Sequence, residues 1–331
     1  MLFKSKIYQK DGIIDATQLY KDIEDFIEKE KLDKGINRLH RHHPLQHILN
    51  STSGNYVSPT SMKSFNMCPA GYLYGKLVTE KTGSATSVGR TYHTIMERFY
   101  NENPENRTTE KIYEIMEKTI EEDSQTDKAS DVKAYVDGYL EAFDYINNRP
   151  MDHSKLTCFN EVFIKPTINP LGVNLDIPVY TLLDRIDIRE DGIYIIDYKT
   201  GFGDPNPYLL GENGYLPQMI FYKWAVEAEY GQEIKGAYLC LPGASQEFKY
   251  VPMNVNSLVE QSKVVEQVKN HIDYARKVRE TKQFPEKIMR YCGSCQMKIM
   301  CSTYVKYKEL DENEIKDCID VEIEVEDNYD E

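Results

Sequence analysis

The chain of 331 residues is 40% hydrophobic with a mean hydropathy of −0.58, values typical of a globular protein with a core large enough for one or two domains. It has no run of about eighteen apolar residues, which argues against a transmembrane helix. Its first residues lack the apolar segment and cleavage site of a signal peptide. We therefore expect a cytoplasmic protein without a membrane partner.

The net charge of −14 is unfavourable for a protein that handles nucleic acid, but the charge is unevenly distributed. Residues 309–331 hold twelve acidic residues and one basic residue, so this tail carries −11 and the rest of the chain −3. The nearly neutral body can therefore hold a basic groove. We interpret the tail as a solvated end, with a docking peptide or an intramolecular mimic of nucleic acid as alternatives.

Hydrophobic periodicity predicts helices and strands along the whole chain. In chain order these are helices over 16–31, from the Ser58 N-cap to 77, and over 86–100, 109–122 and 129–148, strands over 159–165, 180–188 and 193–198, a loop over 201–214, a helix over 216–230, strands over 236–241 and 248–253, and a helix over 255–280. This order predicts an α/β fold with a mixed sheet. We interpret the loop holding His40, His42, His43 and His47 as solvated rather than metal-binding.

The segment TLLDRIDIREDGIYIIDYKTG is predicted to be an antiparallel hairpin. A two-residue loop at Glu190-Asp191 would place Asp184 opposite Asp197, and a loop one residue later would place Asp184 opposite Lys199. In either register the three side chains share one sheet face. Two carboxylates beside one ammonium group form a site for a hard metal ion, which suits phosphodiester cleavage.

Seven cysteines in a cytoplasmic chain argue against a disulfide framework. Cys292, Cys295 and Cys301 form a C-x2-C-x5-C pattern, which supplies three ligands of a tetrahedral metal or cluster site. Cys68, followed by Pro69, is the candidate for the fourth ligand. Ligand type alone does not separate zinc from an iron–sulfur cluster.

Two pairs of polar residues have the four-residue spacing that places them on one helix face. His93 could add an imidazole ligand to the metal site, and Glu97 either orients that site or is solvated. Gln218 and Tyr222 could bind a phosphate or position a lysine.

The order of these motifs resembles that of the RecB/AddB-like branch of the PD-(D/E)XK nucleases, including the stand-alone iron–sulfur exonucleases of CRISPR and phage systems. The matching motifs, spread over residues 58–304, are Ser58-Pro59-Thr60-Ser61 with Phe65, Cys68-Pro69 and Tyr72, Gly89-x3-His93-x3-Glu97, Leu183-Asp184-Arg185-Ile186-Asp187, Ile196-Asp197-Tyr198-Lys199-Thr200-Gly201, Gln218-x3-Tyr222, and the three C-terminal cysteines.

The resemblance implies a restriction-endonuclease-like core with a mixed central sheet flanked by helices, helical insertions and an iron–sulfur staple. The implied ligands of Mg²⁺ or Mn²⁺ are His93, Asp184, Asp197 and the carbonyl of Tyr198. Lys199 would activate the attacking water and offset charge in the transition state, supported by Gln218 and Tyr222.

The resemblance also implies that Cys68, Cys292, Cys295 and Cys301 ligate a [4Fe–4S] cluster, with zinc as the alternative occupant. The cluster would close a nuclease domain over residues 58–308, between an extension over 1–57 and the tail over 309–331.

The expected function is that of a metal-dependent DNA exonuclease acting on single strands or duplex ends, in recombination, repair or phage DNA processing. The alternatives are a catalytically silent iron–sulfur subunit that binds DNA ends, and a zinc protein acting on another substrate such as RNA. The chain has no phosphate-binding loop of the G-x-x-x-x-G-K-[ST] type, so a helicase would be a separate partner, as would a recombinase or a single-strand-binding protein. The composition suggests a bacterial or phage protein.

Overall fold

A computed structural model describes residues 13–15, 36–39, 58–68, 70–72, 78–80, 84–123, 128–173, 180–212, 214–281, 283–285 and 292. The chain divides into two compact units. One unit is continuous, over residues 82–266, and the other combines residues 1–81 with residues 267–331.

The main helices and strands follow one another in this order. They are β1 (Ile13–Asp15), β2 (Ile36–Leu39), α1 (Pro59–Met67), β3 (Val78–Glu80), α2 (Ser84–Asn101), α3 (Thr109–Glu122), α4 (Ala129–Leu140), β4 (Thr157–Ile164), β5 (Thr181–Arg189), β6 (Gly192–Tyr198), α5 (Pro207–Leu210), α6 (Leu216–Tyr230), β7 (Ile234–Cys240), β8 (Tyr250–Pro252), α7 (Leu258–Thr281) and β9 (Gln283–Pro285).

The unit over residues 82–266 is built on a five-stranded sheet with the strand order β4-β5-β6-β7-β8. The β6–β7 pair is parallel, and the other pairs are antiparallel. Parallel neighbours need a long crossover connection, and α6 supplies it here. The predicted α/β class with a mixed sheet flanked by helices is confirmed.

Helices α2, α3 and α4 form a common core with one face of this sheet. Helix α2 contributes Tyr92, Ile95, Met96 and Phe99, all with no exposed surface, at the spacing of one apolar helix stripe. The core also contains Ile196 and Tyr198, which are alternate residues of β6, together with Val132, Val136, Tyr139 and Cys240. Because side chains alternate along a strand, Asp197 between them points to the opposite face.

Two predicted helices are wrong in length, and the first is the one starting at Ser58. Helix α1 ends at Met67, and Cys68 is extended with φ −166° and ψ 109°. Pro69 explains this end, because its ring clashes with a preceding residue in helical conformation. Residues 70–72 are helical again, and residues 73–77 lie outside the described ranges.

The helix predicted over 129–148 ends at Leu140. The carboxylate of Asp144 accepts hydrogen bonds from the N–H groups of Ile146 at 2.9 Å and Asn147 at 3.1 Å, which offers the backbone an alternative to helix. The loop predicted over 201–214 contains the short helix α5. The other predicted elements that the structure describes end within three residues of the observed bounds.

In the other unit, β1 pairs with β9 and β2 pairs with β3, both in antiparallel orientation. Helix α1 begins with a capping box: the Ser58 hydroxyl accepts from the Ser61 N–H at 3.2 Å, and the Ser61 hydroxyl accepts from the Ser58 N–H at 3.1 Å. Strand β1 belongs to the segment predicted as an extension. The helix predicted over 16–31, the four histidines and the acidic tail lie outside the described residues.

The same unit contains an aromatic cluster around Phe65 of α1. Its ring packs edge-to-face against Tyr72, His271 and Tyr274, with centroid distances of 6.2, 4.8 and 4.9 Å. Phe65, Tyr72 and His271 are buried. These contacts join α1 to the C-terminal half of α7.

Candidate active site

The hairpin of β5 and β6 sets the geometry of the site. Arg189 pairs with Gly192 and Arg185 pairs with Ile196, so Glu190 and Asp191 form a two-residue loop. This is the register that was expected to place Asp184 opposite Asp197. The backbone N–H of Tyr198 donates to Asp184 Oδ2 at 2.8 Å and fixes that carboxylate.

Helix α2 brings His93 to the same point. Its Nδ1 lies 3.4 Å from Asp184 Oδ1, and its Nε2 lies 3.1 Å from the carbonyl oxygen of Tyr198. Burial lowers the pKa of His93, but the hydrogen bond and charge of Asp184 outweigh burial and raise it overall. To act as a metal ligand His93 must be neutral, so a metal ion and a proton would compete for its imidazole.

Glu161 of β4 is a candidate site residue that the sequence analysis missed. The pairs Asn160–Arg185 and Val162–Leu183 flank it, so it stands across from Asp184. One ligand atom each of His93, Glu161 and Asp184 lie within 4.8 Å of one another. Burial and then the charge of Asp184 raise the pKa of Glu161. The charge of Glu97, which lies one turn after His93 on α2, adds to this rise.

The backbone at Glu161 is left-handed, with φ at 47°. This conformation is uncommon for a residue with a side chain, and in a strand it costs free energy unless the surroundings compensate. No extra residue enters the ladder here, because the pairing count is the same on both sides. Such strain is concentrated at functional sites, and here it accompanies a carboxylate that faces two other ligand groups.

A second cluster surrounds Asp197, which is 1% exposed. Lys199 Nζ forms an ion pair with Oδ2 of Asp197, and Gln218 Nε2 donates to its Oδ1 at 2.9 Å. Gln218 Nε2 also donates to the Tyr222 hydroxyl at 2.7 Å, so α6 supports the carboxylate through both residues. The structure thus brings together four of the predicted catalytic residues.

The charged groups in this second cluster change one another's pKa. Burial raises the pKa of Asp197 to about 6, Lys199 opposes this rise, and Asp184 adds to it. Burial lowers the pKa of Lys199, but Asp197 and Asp184 outweigh burial, so the ammonium group stays charged. Burial and then both carboxylates raise the pKa of Tyr222 well above its ordinary value.

These residues fit a divalent metal ion. Carboxylate oxygens and an imidazole nitrogen are suitable donors for Mg²⁺ and Mn²⁺. Among the described residues the closely spaced donors are His93, Glu161 and Asp184. Asp197 lies beside them but bonds to Lys199 and Gln218, and the Tyr198 carbonyl oxygen lies 3.5 Å from Lys199 Nζ.

Two of the predicted cluster ligands, Cys68 and Cys292, lie in the unit that combines the two chain ends. Cys68 directly follows α1, and its sulfur accepts a hydrogen bond from the N–H of Gly71 at 3.2 Å. Cys292 is buried. Cys295 and Cys301 lie outside the described residues.

Within the described residues, no helix is both long and apolar enough to cross a membrane.

Over 80 residues the chain is 32% identical to a protein of Solanum tuberosum named ErbB-3 binding protein 1. The match covers 24% of this chain and 20% of that relative, so the chain spans about a fifth of its length.

A model of the PD-(D/E)XK nuclease superfamily matches residues 56–302, about three quarters of the chain. The matched region includes the mixed sheet, both carboxylate clusters and Lys199. The chain therefore belongs to the PD-(D/E)XK nuclease superfamily.

Proposed function

We propose that the protein is an exonuclease that cleaves DNA at single strands or duplex ends with Mg²⁺ or Mn²⁺. The observation that carries this proposal is the convergence of His93, Glu161 and Asp184 within 4.8 Å, beside the ion pair of Lys199 and Asp197. Digestion from an end and a role in recombination or repair are supported by the resemblance of the motif order.

His93, Glu161 and Asp184 would hold the metal ion, with Asp197 and the Tyr198 carbonyl as further donors. When bound, the ion would polarise the scissile phosphate and make water more acidic. Asp184 is prepared for this role by the N–H of Tyr198, which orients its carboxylate.

Lys199 would position the attacking water and offset negative charge on the phosphate in the transition state. Asp197 aims the ammonium group through the ion pair, and Gln218 holds Asp197 through the other carboxylate oxygen. The amide of Gln218 donates to both Asp197 and Tyr222. Because Asp197 in turn pairs with Lys199, the position of Lys199 depends on these hydrogen bonds from α6.

The test is cleavage of DNA labelled at the 5′ or 3′ end, single- or double-stranded, with Mg²⁺, Mn²⁺ or EDTA. Wild type is compared with Asp197→Asn, which keeps the volume of the side chain but removes its charge. We expect metal-dependent release of label that falls about 10²- to 10³-fold in the variant. Closed circular DNA should stay intact if digestion requires an end.

Absence of cleavage by the wild type on every substrate, with DNA still bound, would contradict this proposal. It would favour a catalytically silent subunit that binds DNA ends for a helicase, recombinase or single-strand-binding protein. Cleavage of circular DNA would identify an endonuclease instead.

We also propose that Cys68, Cys292, Cys295 and Cys301 ligate a [4Fe–4S] cluster. The hydrogen bond from Gly71 to Cys68 Sγ supports this, because N–H donors stabilise thiolate ligands of clusters. Anaerobically purified protein should contain iron and sulfide, and Cys68→Ser should lose both. Cys158→Ser, outside the ligand set, is the control, and stoichiometric zinc without iron would refute the cluster.

A further inference from the structure

Strand β4 exposes aromatic rings on the face of the sheet that carries the active site. Phe159 is 54% exposed and Phe163 is 62% exposed. Because side chains alternate along a strand, both rings lie on the same face as Glu161, which stands midway between them. Among the described strands β4 is at the edge of the sheet, so these rings lie along an open border of the catalytic face.

The neighbouring strand extends this pattern. Phe163 pairs with Leu182, which is 48% exposed, and Phe159 pairs with the buried Ile186. On β5, Asp184 stands between those two partners. One ring therefore lies on each side of the carboxylates of Glu161 and Asp184. We call Phe159 and Phe163 the aromatic strip.

A positive charge lies at one end of the aromatic strip. Lys165 is exposed two residues beyond Phe163, and its Nζ lies 4.4 Å from the centroid of the Tyr180 ring. The Tyr180 ring in turn packs edge-to-face against Phe163 at 6.0 Å. The border thus offers ring surfaces for flat apolar groups and a cation for a phosphate.

An edge strand that presents aromatic rings is a liability, because such edges promote aggregation and are usually protected by charge. A permanent apolar protein partner would have to bury the charges of Glu161 and Asp184 between the rings, which is costly. A single strand of DNA avoids this cost, since its bases can cover the rings while the divalent ion proposed at Glu161 and Asp184 would offset the repulsion between these carboxylates and its phosphate.

We propose that the aromatic strip is a stacking platform for unpaired bases on either side of the phosphodiester bond that is cut. The proposal rests on the proposed nuclease function and specifies its substrate as a single strand or a frayed end. Bases within a duplex are already paired and stacked on one another, whereas every unpaired base offers a face to an aromatic side chain.

The first experiment measures binding of a single-stranded oligonucleotide carrying 2-aminopurine near its end, in the Asp197→Asn background and with EDTA to suppress turnover. Phe159→Ala and Phe163→Ala should each weaken binding about 10-fold and reduce the quenching of 2-aminopurine. Phe163→Trp should restore both, whereas Phe163→Leu should not. Phe143→Ala, at an exposed phenylalanine outside the aromatic strip, should match the parent.

The second experiment separates stacking from structural damage. Oligonucleotides with an abasic position placed successively near the end are bound to parent and Phe163→Ala proteins. At one position the abasic substitution should itself weaken binding, and Phe163→Ala should then cause no further loss of affinity. Such non-additivity is expected because both changes remove the same contact between ring and base. Full additivity at every position would overturn the stacking proposal.

The steady-state reaction distinguishes failure of this proposal from failure of the proposed function. In the otherwise wild-type enzyme, Phe163→Ala should raise KM for single strands about 10-fold and leave kcat nearly unchanged. Unchanged KM with normal cleavage would refute the platform alone. Self-association lost in Phe163→Ala, with unchanged DNA binding, would assign the rings to contact between copies of the chain instead.

Discussion

Strand β5 carries charged residues on both faces, and the two faces use them differently. On the core side, Arg185 and Asp187 are fully buried and form two hydrogen bonds, at 2.5 and 2.6 Å. Arg185 also donates to the hydroxyls of Tyr139 at 2.8 Å and Tyr198 at 3.0 Å. Asp187 accepts from Tyr145 at 2.7 Å, so the pair is surrounded by donors and acceptors.

On the catalytic side, Asp184 faces Glu161 and His93. Two carboxylates there share a small space, and the effect of Asp184 on the pKa of Glu161 reflects their repulsion. The core-side pair is complete without any further component, whereas the proposed metal ion would relieve the repulsion within the catalytic-side group. On this one strand, therefore, the charged residues of the core side stabilise the fold, whereas Asp184 on the other side belongs to the proposed metal site.

The largest effect is expected from Arg185→Met, which breaks the core-side pair and leaves Asp187 buried without its partner. Loss of one partner of a buried ion pair costs about 3–5 kcal/mol. Unfolding in urea should show this loss. The double variant Arg185→Met with Asp187→Leu should recover a large part of it, and equal instability of both variants would show that the pair itself is not the cause.

A smaller effect is expected from Glu161→Gln on the catalytic side. Affinity for Mn²⁺ should fall about 10- to 100-fold, a range typical when a metal site loses a supporting group. Metal-free protein should keep its stability, because the substitution also relieves repulsion by Asp184. Titration with Mn²⁺ and urea unfolding in EDTA test both parts. Glu121→Gln, an exposed acid of α3, is the control, and equal Mn²⁺ affinity in both variants would remove Glu161 from the site.

The smallest effect concerns His153, which accompanies the core-side pair. Burial, and then the charge of Arg185, lower the pKa of His153 from 6.5 to about 4. As pH falls, the His153 imidazole is protonated in the unfolded chain before it is protonated in the folded protein. The part of the free energy of unfolding that His153 contributes above pH 6.5 is therefore lost as pH falls toward 4. At pH 5 the loss is about 1–2 kcal/mol, allowing for partial exposure of the ring.

Urea unfolding at pH 7.5 and pH 5 tests this dependence. His153→Gln should lose less stability than the wild type between the two values, since glutamine does not titrate. Equal losses in both proteins would show that His153 does not contribute. Asp144, whose pKa is lowered to about 2, does not interfere in this range.

The parts of the site that could be predicted from the sequence are local. The hairpin of β5 and β6 has a short loop, so residue spacing alone places Asp184 and Asp197 on one face. Helical spacing in the same way unites Gln218 with Tyr222. Glu161 was missed because a long connection joins β4 to β5, which leaves their register undetermined, and because no pattern signals its left-handed backbone.

The lengths of the mispredicted helices have equally specific causes. Pro69 carried a visible signal for the end of α1, since the residue before a proline avoids helical conformation. The end of α4 depends on Asp144, which binds nearby N–H groups and also forms an ion pair with Arg189 at 2.9 Å. That long-range contact could not be seen in local periodicity.

The pairing of β1 with β9 constrains the order of events during synthesis. Asp15 pairs with Gln283, so 267 residues lie between the two strands along the chain. At about 5–20 residues per second, the ribosome needs roughly 13–53 s to add them. The unit over residues 82–266 is complete in sequence before β9 is made. The five-stranded sheet can therefore form on the ribosome before β1 can pair with β9.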